Sequence, residues 1–162
     1  MTAPAASDPV LATIHPRPAR RWFGIGIQGA LGVVVIGVGL AVPGDHLLIK
    51  FLILVAGGFM AFGALGLFRA TQHHIELTRS ELRDSAGHVL AEIDNIAGID
   101  RGAFAFKPSQ GFLVRLKTPR ARHWAPGLWW RVGRFVGVGG VTPAGEGKFM
   151  AEMISAMIAE QS

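Results

Sequence analysis

The sequence has 162 residues, of which 50% are hydrophobic and 17% are charged, and its net charge is +5. This length fits a single domain, and so low a charged fraction is expected of a small integral membrane protein. Cysteine is absent, which excludes disulfides, zinc–cysteine sites and thiol catalysis. The basic charge is concentrated in residues 101–145, which hold eight Lys and Arg and no acidic residue, whereas residues 69–100 hold three basic and six acidic ones.

The first segment, residues 1–21, contains four prolines in a short polar stretch and ends in arginines directly before an apolar run. Proline opposes both helices and sheet ladders, so we expect this segment to be a disordered, basic tail. A basic region followed by apolar residues also begins a secretory signal. We favour a membrane anchor, because the apolar run exceeds the roughly 7–15 residues of a signal and a second run follows at once.

Two long apolar runs, residues 22–42 and 47–68, are separated by the polar break Pro43–His46. About 20 apolar residues cross a hydrocarbon core as a helix, so residues 22–68 are predicted to form a transmembrane helical hairpin. Basic residues collect at the two outer ends, which places both termini in the cytoplasm by the positive-inside rule. The residues predicted at the membrane interfaces are Arg20, Arg21, Trp22, Lys50 and Arg69.

The hairpin is rich in glycine, and small residues four apart let helix backbones approach closely in lipid. We expect the two helices to pack on each other through such pairs. Their surplus leaves open a second use, packing against a partner protein. The predicted packing residues are Gly26, Ala30, Gly37, Ala41, Gly57, Ala61, Gly58 and Gly66.

The remaining residues, 69–162, are predicted to form a domain of short antiparallel strands followed by one helix. The residues of the final segment, about 143–160, repeat apolar side chains at spacings of three and four, with Thr142 as a candidate N-cap and Pro143 at the first helical position. This amphipathic helix is expected to close the sheet core. The predicted strands are 73–78, 81–84 and 88–93 turned at 85–87, 93–99, 103–106 with 111–117, and one or two within 128–138.

The order of these elements resembles that of small bacterial membrane proteins in which a pleckstrin-homology-like (PH-like) domain follows two transmembrane helices. The resemblance covers residues 22–161 and rests on element order, because the family has no sharp motif. It implies an α+β membrane protein whose antiparallel sheet is strongly bent, nearly a barrel, with the final helix closing one corner. It further implies residence in the bacterial inner membrane and a binding function, for lipid headgroups or proteins, without catalysis or a cofactor.

A basic segment rich in tryptophan is predicted to form a loop, residues 118–127, and the start of the strand that follows. Near an anionic leaflet each surface cation contributes about 1 kcal/mol, and tryptophan prefers the headgroup level. The alternative is that Trp129 and Trp130 alternate in a strand, one of them buried, with the arginines merely solvated. No nucleic-acid-binding module is present. The candidate lipid or partner surface comprises Lys117, Arg120, Arg122, Trp124, Trp129, Trp130 and Arg131.

The histidines do not form a metal or catalytic motif. His73 and His74 are adjacent in an extended segment and therefore point to opposite faces, while His88 and His123 stand alone in the sequence. We expect no enzyme activity and no metal site. Two functions follow as hypotheses: a membrane-anchored module that binds anionic inner-leaflet lipids or a protein, or an accessory subunit that packs its hairpin into a larger membrane complex.

Overall fold

The structure, a computed structural model, describes residues 8–100 and 111–160. Two long apolar helices, α1 (Pro18–Ala41) and α2 (Leu47–Ala70), form an antiparallel hairpin joined by a short turn. Each has 24 residues, and at about 1.5 Å per residue this length exceeds the thickness of a hydrocarbon core. Both helices are long and apolar enough to cross a membrane. Their outward side chains are exposed, such as Phe59 at 77%.

The segment before α1 belongs to the sheet domain. Strand β1 (Ala12–Ile14) pairs antiparallel with β2 (Ile75–Leu77), and the Ile14 side chain is fully buried. The prediction of a disordered tail is therefore wrong for residues 8–21; residues 1–7 lie outside the described residues. The physical reason is that Pro9 and Pro16 flank β1 rather than interrupt it, and β1 is an edge strand, where proline is tolerated nearby.

The first sheet has the order β1-β2-β3-β4, with β3 at Glu81–Asp84 and β4 at Val89–Glu92. The hairpin predicted around residues 85–87 is present. Its turn includes Gly87, whose φ of 89° lies in the left-handed region that glycine adopts without strain. The turn lies close to the end of α2, and the opposite turn, between β2 and β3, lies at the far end of these strands.

The second sheet has the order β5-β6-β7, with β5 at Ile96–Asp100, β6 at Phe112–Ala125 and β7 at Trp129–Val138. The predicted loop 118–127 is wrong, because β6 continues through it to Ala125. Pro119 is accommodated where the pairing with β7 shifts register, between Arg115 and Arg120. The predicted strand 103–106 lies outside the described residues.

The final helix, α3 (Ala144–Glu160), agrees with the predicted amphipathic helix and packs against β1, β5 and β6. Its buried residues Met150, Ala151 and Ile154 join one core with the apolar side chains of both sheets. Thr142 does not cap the helix: its buried hydroxyl has no hydrogen-bond partner in the described part of the chain. Instead the Pro143 carbonyl accepts the first helical bond, from the Gly147 amide.

Within residues 8–100 and 111–160 the strand pairing gives two open sheets, of four and three strands, and the predicted continuous, nearly closed sheet is not seen there. Both sheets are antiparallel, so the fold is a mixed α and β arrangement in which a small sheet domain accompanies the two-helix hairpin. Because β1 precedes α1 and β2 follows α2, the hairpin is an insertion between two paired strands of the same sheet.

Candidate functional site

The long ribbon of β6 and β7 carries the predicted basic and aromatic residues on two opposite faces. Trp124 lies opposite Trp130, and His123 lies opposite Arg131. Because side chains alternate along a strand, Arg122, Trp124 and Trp130 share one face, which we call the outer face of the ribbon. Trp129, Arg131 and His123 occupy the inner face, toward the first sheet.

Two of the predicted surface residues belong to the interior. Trp129 is 1% exposed, and its Nε1 donates a hydrogen bond to Asp84 Oδ2 at 3.1 Å. Arg131 is partly buried and donates to the backbone carbonyls of Val89 and Leu90 at 2.7 and 3.1 Å, and to that of Ala121 at 2.8 Å. The prediction of a binding surface is wrong for these two residues, because both connect β7 to neighbouring backbone and carboxylate groups. The alternative, one tryptophan buried, holds for Trp129.

The outer face of the ribbon retains the other aromatic and basic side chains. Trp124 is 69% exposed, and Arg122 beside it is also exposed. Trp130 is half-buried and lies over Gly137, where any side chain would collide with the indole ring. A cavity of about 240 Å³ is lined by Arg122, His123, Trp124, Trp130 and Val132. Further along β6, Lys117 is exposed and Arg120 pairs with Glu92.

The ribbon ends against the domain-proximal end of α2. Gly66 of α2 faces Pro126, with 3.8 Å between its Cβ position and Pro126 Cγ. Gly127, at a φ of 75°, lies directly against Leu67, so that a side chain there would overlap it. These contacts place Trp124 close to the last turn of α2. A second cavity, of about 260 Å³, is shared by residues of α2 and of the ribbon.

The predicted interface residues occupy both ends of the hairpin. At the domain-proximal end, the Arg21 guanidinium lies 5.5 Å from the Trp22 ring and 5.1 Å from the Phe68 ring, which is a cation–π geometry. Arg20 is half-buried and Arg69 is exposed at the same end. Lys50 lies at the other end, where its Nζ is 3.4 Å from the Val42 carbonyl oxygen.

Contact between the helices uses only part of the predicted glycine set. A Cβ placed on Gly57 would lie 2.7 Å from Ile36 Cγ1, and one on Gly32 would lie 3.0 Å from the Ala61 nitrogen. Gly57 and Ala61 are therefore in the interface, with Gly32 and Gly39, which share a helix face because they are two turns apart. The prediction that small residues pack α1 against α2 is wrong for five of them, which are exposed: Gly26, Ala30, Gly37, Ala41 and Gly58. Gly66 packs on the ribbon instead.

A polar cluster connects the ribbon with the β3–β4 turn. Asp84 is 3% exposed and accepts hydrogen bonds from the Ala86 and His88 amides, from Trp129 Nε1 and from His88 Nδ1, which lies 3.1 Å from Oδ2. His123 stacks on Trp129 with 4.6 Å between ring centroids, and its ring centroid lies 4.7 Å from that of His88. These two histidines, 35 residues apart and predicted to stand alone, therefore lie together in the fold. Asp84 and His88 flank a tight turn, and this turn is the one signal in the sequence that predicts the contact between these two residues.

Burial and neighbouring charge alter the titration of this cluster. Burial lowers the pKa of His123. The neighbouring His88 and Arg131 lower this pKa further, whereas Asp84 raises it. Burial likewise lowers the pKa of Arg131, with a smaller contribution from Arg120. The lowered pKa favours the neutral form of the His123 imidazole.

A second group of polar residues lies where β1, β2 and β3 meet. His15 and His74 stack with ring centroids 4.7 Å apart, and Glu76 contacts His74 Nε2 at 3.0 Å and Arg83 Nε at 2.9 Å. The hydrogen bond from Arg83 holds the pKa of Glu76 below its usual value, although burial opposes this. Within residues 8–100 and 111–160, no group of three or more His, Cys, Asp or Glu is arranged to hold a metal ion.

Comparisons with protein-family models, with curated proteins and with solved structures give no match to this chain.

Proposed function

We propose that this chain is a membrane-anchored, PH-like binding module whose ribbon contacts the headgroups of anionic lipids. The hairpin crosses the membrane, and the sheet domain lies against the leaflet from which the hairpin enters. The observation that carries the proposal is the position of Trp124, which is exposed beside Arg122 and shares a cavity with Gly66 and Arg69 at the end of α2.

The depth of Trp124 follows from the helix geometry. Gly66 lies four residues before the end of α2, and about 1.5 Å per residue puts it roughly 6 Å inside that end. If α2 crosses a bilayer, side chains beside Gly66 lie at the headgroup level, which tryptophan prefers. Arg122 follows on the same face, and a cation there contributes about 1 kcal/mol on an anionic surface. Arg21, Trp22 and Phe68 extend this aromatic and basic belt around the hairpin.

The pairing of β1 with β2 supports the proposed topology. Both ends of the hairpin are tied to one sheet, so the two termini of the hairpin lie on the same side of a membrane that it enters. The Arg17 amide also donates to the Val141 carbonyl at 2.8 Å, which holds the start of α1 against the domain. Three arginines at this end favour the cytoplasmic side of a bacterial inner membrane.

The strand pattern supports the PH-like assignment, with one change to the expected order. The resemblance implies short antiparallel strands followed by one helix that closes the core, and the final helix packs on a core shared by both sheets. The two separate sheets differ from the single, nearly closed sheet that the resemblance implies. The first strand, however, precedes the hairpin. The domain would therefore begin at residue 8 or earlier, and the two helices would be an insertion into it.

The proposal is tested with the full-length protein reconstituted in nanodiscs. The fluorescence of Trp124, obtained as the difference between the wild type and Trp124→Phe, is expected to be quenched by lipids brominated near the headgroup. Arg122→Ser is expected to reduce the anionic lipid retained after mild purification, measured by native mass spectrometry. Arg79→Ser is the matched control, because Arg79 is exposed in the β2–β3 turn at the far end of the domain. An unquenched Trp124, with equal lipid retention in all variants, contradicts the proposal.

A second candidate function, an accessory subunit of a membrane complex, is favoured by the unused small residues of the hairpin. In the part of the chain that the structure describes, no other element lies within 4 Å of where a Cβ would stand on Gly26, Gly37 or Gly58, so these positions are open to another helix. This function predicts a stoichiometric membrane partner after gentle solubilisation, lost in Gly37→Leu and kept in Val34→Leu on the same helix. A protein that purifies alone with bound lipid contradicts it.

A further inference from the structure

The cavity of about 260 Å³ lies between the end of α2, the β3–β4 turn and the ribbon. It is lined by residues of all three elements, and several of their side chains can donate hydrogen bonds. The donors are one guanidinium and three imidazoles, and Trp124 forms part of the wall. Its lining residues with polar or aromatic side chains are Arg69, His73, Asp84, His88, His123 and Trp124.

Arg69 is the fixed positive charge of this cavity. It lies in the last turn of α2, its side chain is exposed, and its guanidinium makes no hydrogen bond or ion pair with the residues that the structure describes. A guanidinium presents paired N–H groups that match the oxygens of a phosphate in a bidentate contact. Arg69 is therefore available to an anion that enters from the membrane side or from solution.

The imidazole of His88 is held for the same purpose. Its Nδ1 is bonded to the Asp84 carboxylate, which must accept, so Nδ1 carries the proton and Nε2 remains for a ligand. Asp84 also accepts bonds from Trp129 Nε1 and from the Ala86 amide, so its oxygens are occupied. The hydrogen bond to Asp84 fixes the orientation of the ring. The cavity thus presents a second hydrogen-bonding side chain in addition to Arg69.

We propose that this cavity binds a phosphate group, held by the Arg69 guanidinium and by Nε2 of His88, with His73 and His123 beside it. A guanidinium that shares one cavity with several imidazoles suits the several oxygens of a phosphate better than a carboxylate, which has only two. The phosphate belongs either to a lipid headgroup or to a small soluble molecule. The lipid source rests on the membrane placement proposed above, whereas the soluble source does not.

The test uses the full-length protein in a neutral detergent, with ¹⁵N-labelled histidine and inorganic phosphate as the probe. Saturable shifts of the His88 and His123 ring nitrogens are expected with phosphate and not with chloride at equal ionic strength. Arg69→Gln is expected to weaken the apparent affinity about tenfold, and Arg79→Gln to leave it unchanged. His88→Gln provides a second variant in which His123 remains the reporter. An apparent affinity that is unchanged in Arg69→Gln, or the absence of shifts with both phosphate and lipid, overturns the proposal.

Nanodiscs separate the two sources of phosphate. Shifts in discs that contain phosphatidic acid, absent in phosphatidylcholine discs, support a lipid headgroup. Shifts produced by glycerol 3-phosphate in phosphatidylcholine discs support a soluble ligand. Quenching of Trp124 by brominated lipids is measured in the same samples and is expected to be unaffected by Arg69→Gln. If the phosphate shifts are absent but Trp124 is quenched, the phosphate site is contradicted and the proposed membrane contact is supported. If the phosphate shifts are present but Trp124 is not quenched, the phosphate site is supported and the membrane contact is contradicted.

Discussion

The indole Nε1 of Trp129 donates a hydrogen bond to Asp84 Oδ2 at 3.1 Å, and this bond joins the two sheets of the domain. Both groups are buried, so neither finds water if the other is removed. Arg131 adds a parallel connection by donating to two carbonyls of β4. The buried polar cluster therefore orients the ribbon relative to the first sheet, and it determines which face of the ribbon remains exposed.

Trp129→Phe is expected to destabilise the domain by about 1–3 kcal/mol, because Asp84 loses a donor that no solvent replaces. The measurement is the free energy of unfolding of the full-length protein in detergent, by denaturant titration followed by circular dichroism. Trp124→Phe is the control and should change stability little, since Trp124 is exposed. Equal stability of the two variants would show that this hydrogen bond does not stabilise the domain.

His123 is expected to make stability fall as the solution is acidified. Burial and the neighbouring His88 lower its pKa in the folded protein, so the unfolded chain binds the proton more readily. Stability from this residue is complete above the unfolded pKa of about 6.5 and is lost as the pH falls toward the lower folded value. The measurement compares unfolding at about pH 7.5 and about pH 5.5, a window above the titration of most carboxyl groups.

In His123→Gln the difference between these two conditions should shrink. Gln72→Ala, at an exposed position that carries no titratable group, is the control and should leave the difference unchanged. A wild-type protein that is equally stable at both pH values would contradict the lowered pKa.

Local pattern in the sequence predicts the elements whose stabilising contacts are local. Both long apolar helices, the β3–β4 turn and α3 agree with the structure, because apolar periodicity and turn residues determine them. The loop prediction for residues 118–127 failed because Pro119 is tolerated where the pairing with β7 shifts register, and an isolated segment does not show its partner strand. The contact of His88 with His123 was missed for the same reason, since the two rings come from different sheets.

Composition alone predicted the wrong structure for the N-terminal segment. Its prolines suggested disorder, yet Ile14 is fully buried against the core and its strand pairs with β2. Ile14→Ala is expected to destabilise the protein by about 2–5 kcal/mol, as for other large-to-small core substitutions. Val10→Ala, at an exposed position of the same segment, is the control for the unfolding measurement.

Removing residues 1–17 should destabilise the domain at least as much as Ile14→Ala. The edge strand, the Ile14 side chain and the hydrogen bond from the Arg17 amide to the Val141 carbonyl are all lost together. Hydrogen exchange of the β2 amides measures this directly. Unchanged protection of β2 in the truncated protein would mean that β1 does not stabilise the sheet.

The adjacent glycines Gly57 and Gly58 provide a matched test of the hairpin. A Cβ on Gly57 would lie 2.7 Å from Ile36 Cγ1 and 2.9 Å from the Ile36 backbone nitrogen, whereas a Cβ on Gly58 would have no other described element within 4 Å. Gly57→Ala is therefore expected to push the helices apart. The new Cβ would meet the backbone of α1 at Ile36, and a helix backbone cannot turn aside as a flexible side chain can. Gly58→Ala should be neutral or slightly stabilising, since alanine favours a helix by about 1 kcal/mol over glycine. Thermal unfolding in detergent and disulfide cross-linking between engineered cysteines on α1 and α2 measure the effect, and equal behaviour of the two variants would contradict the close packing at Gly57.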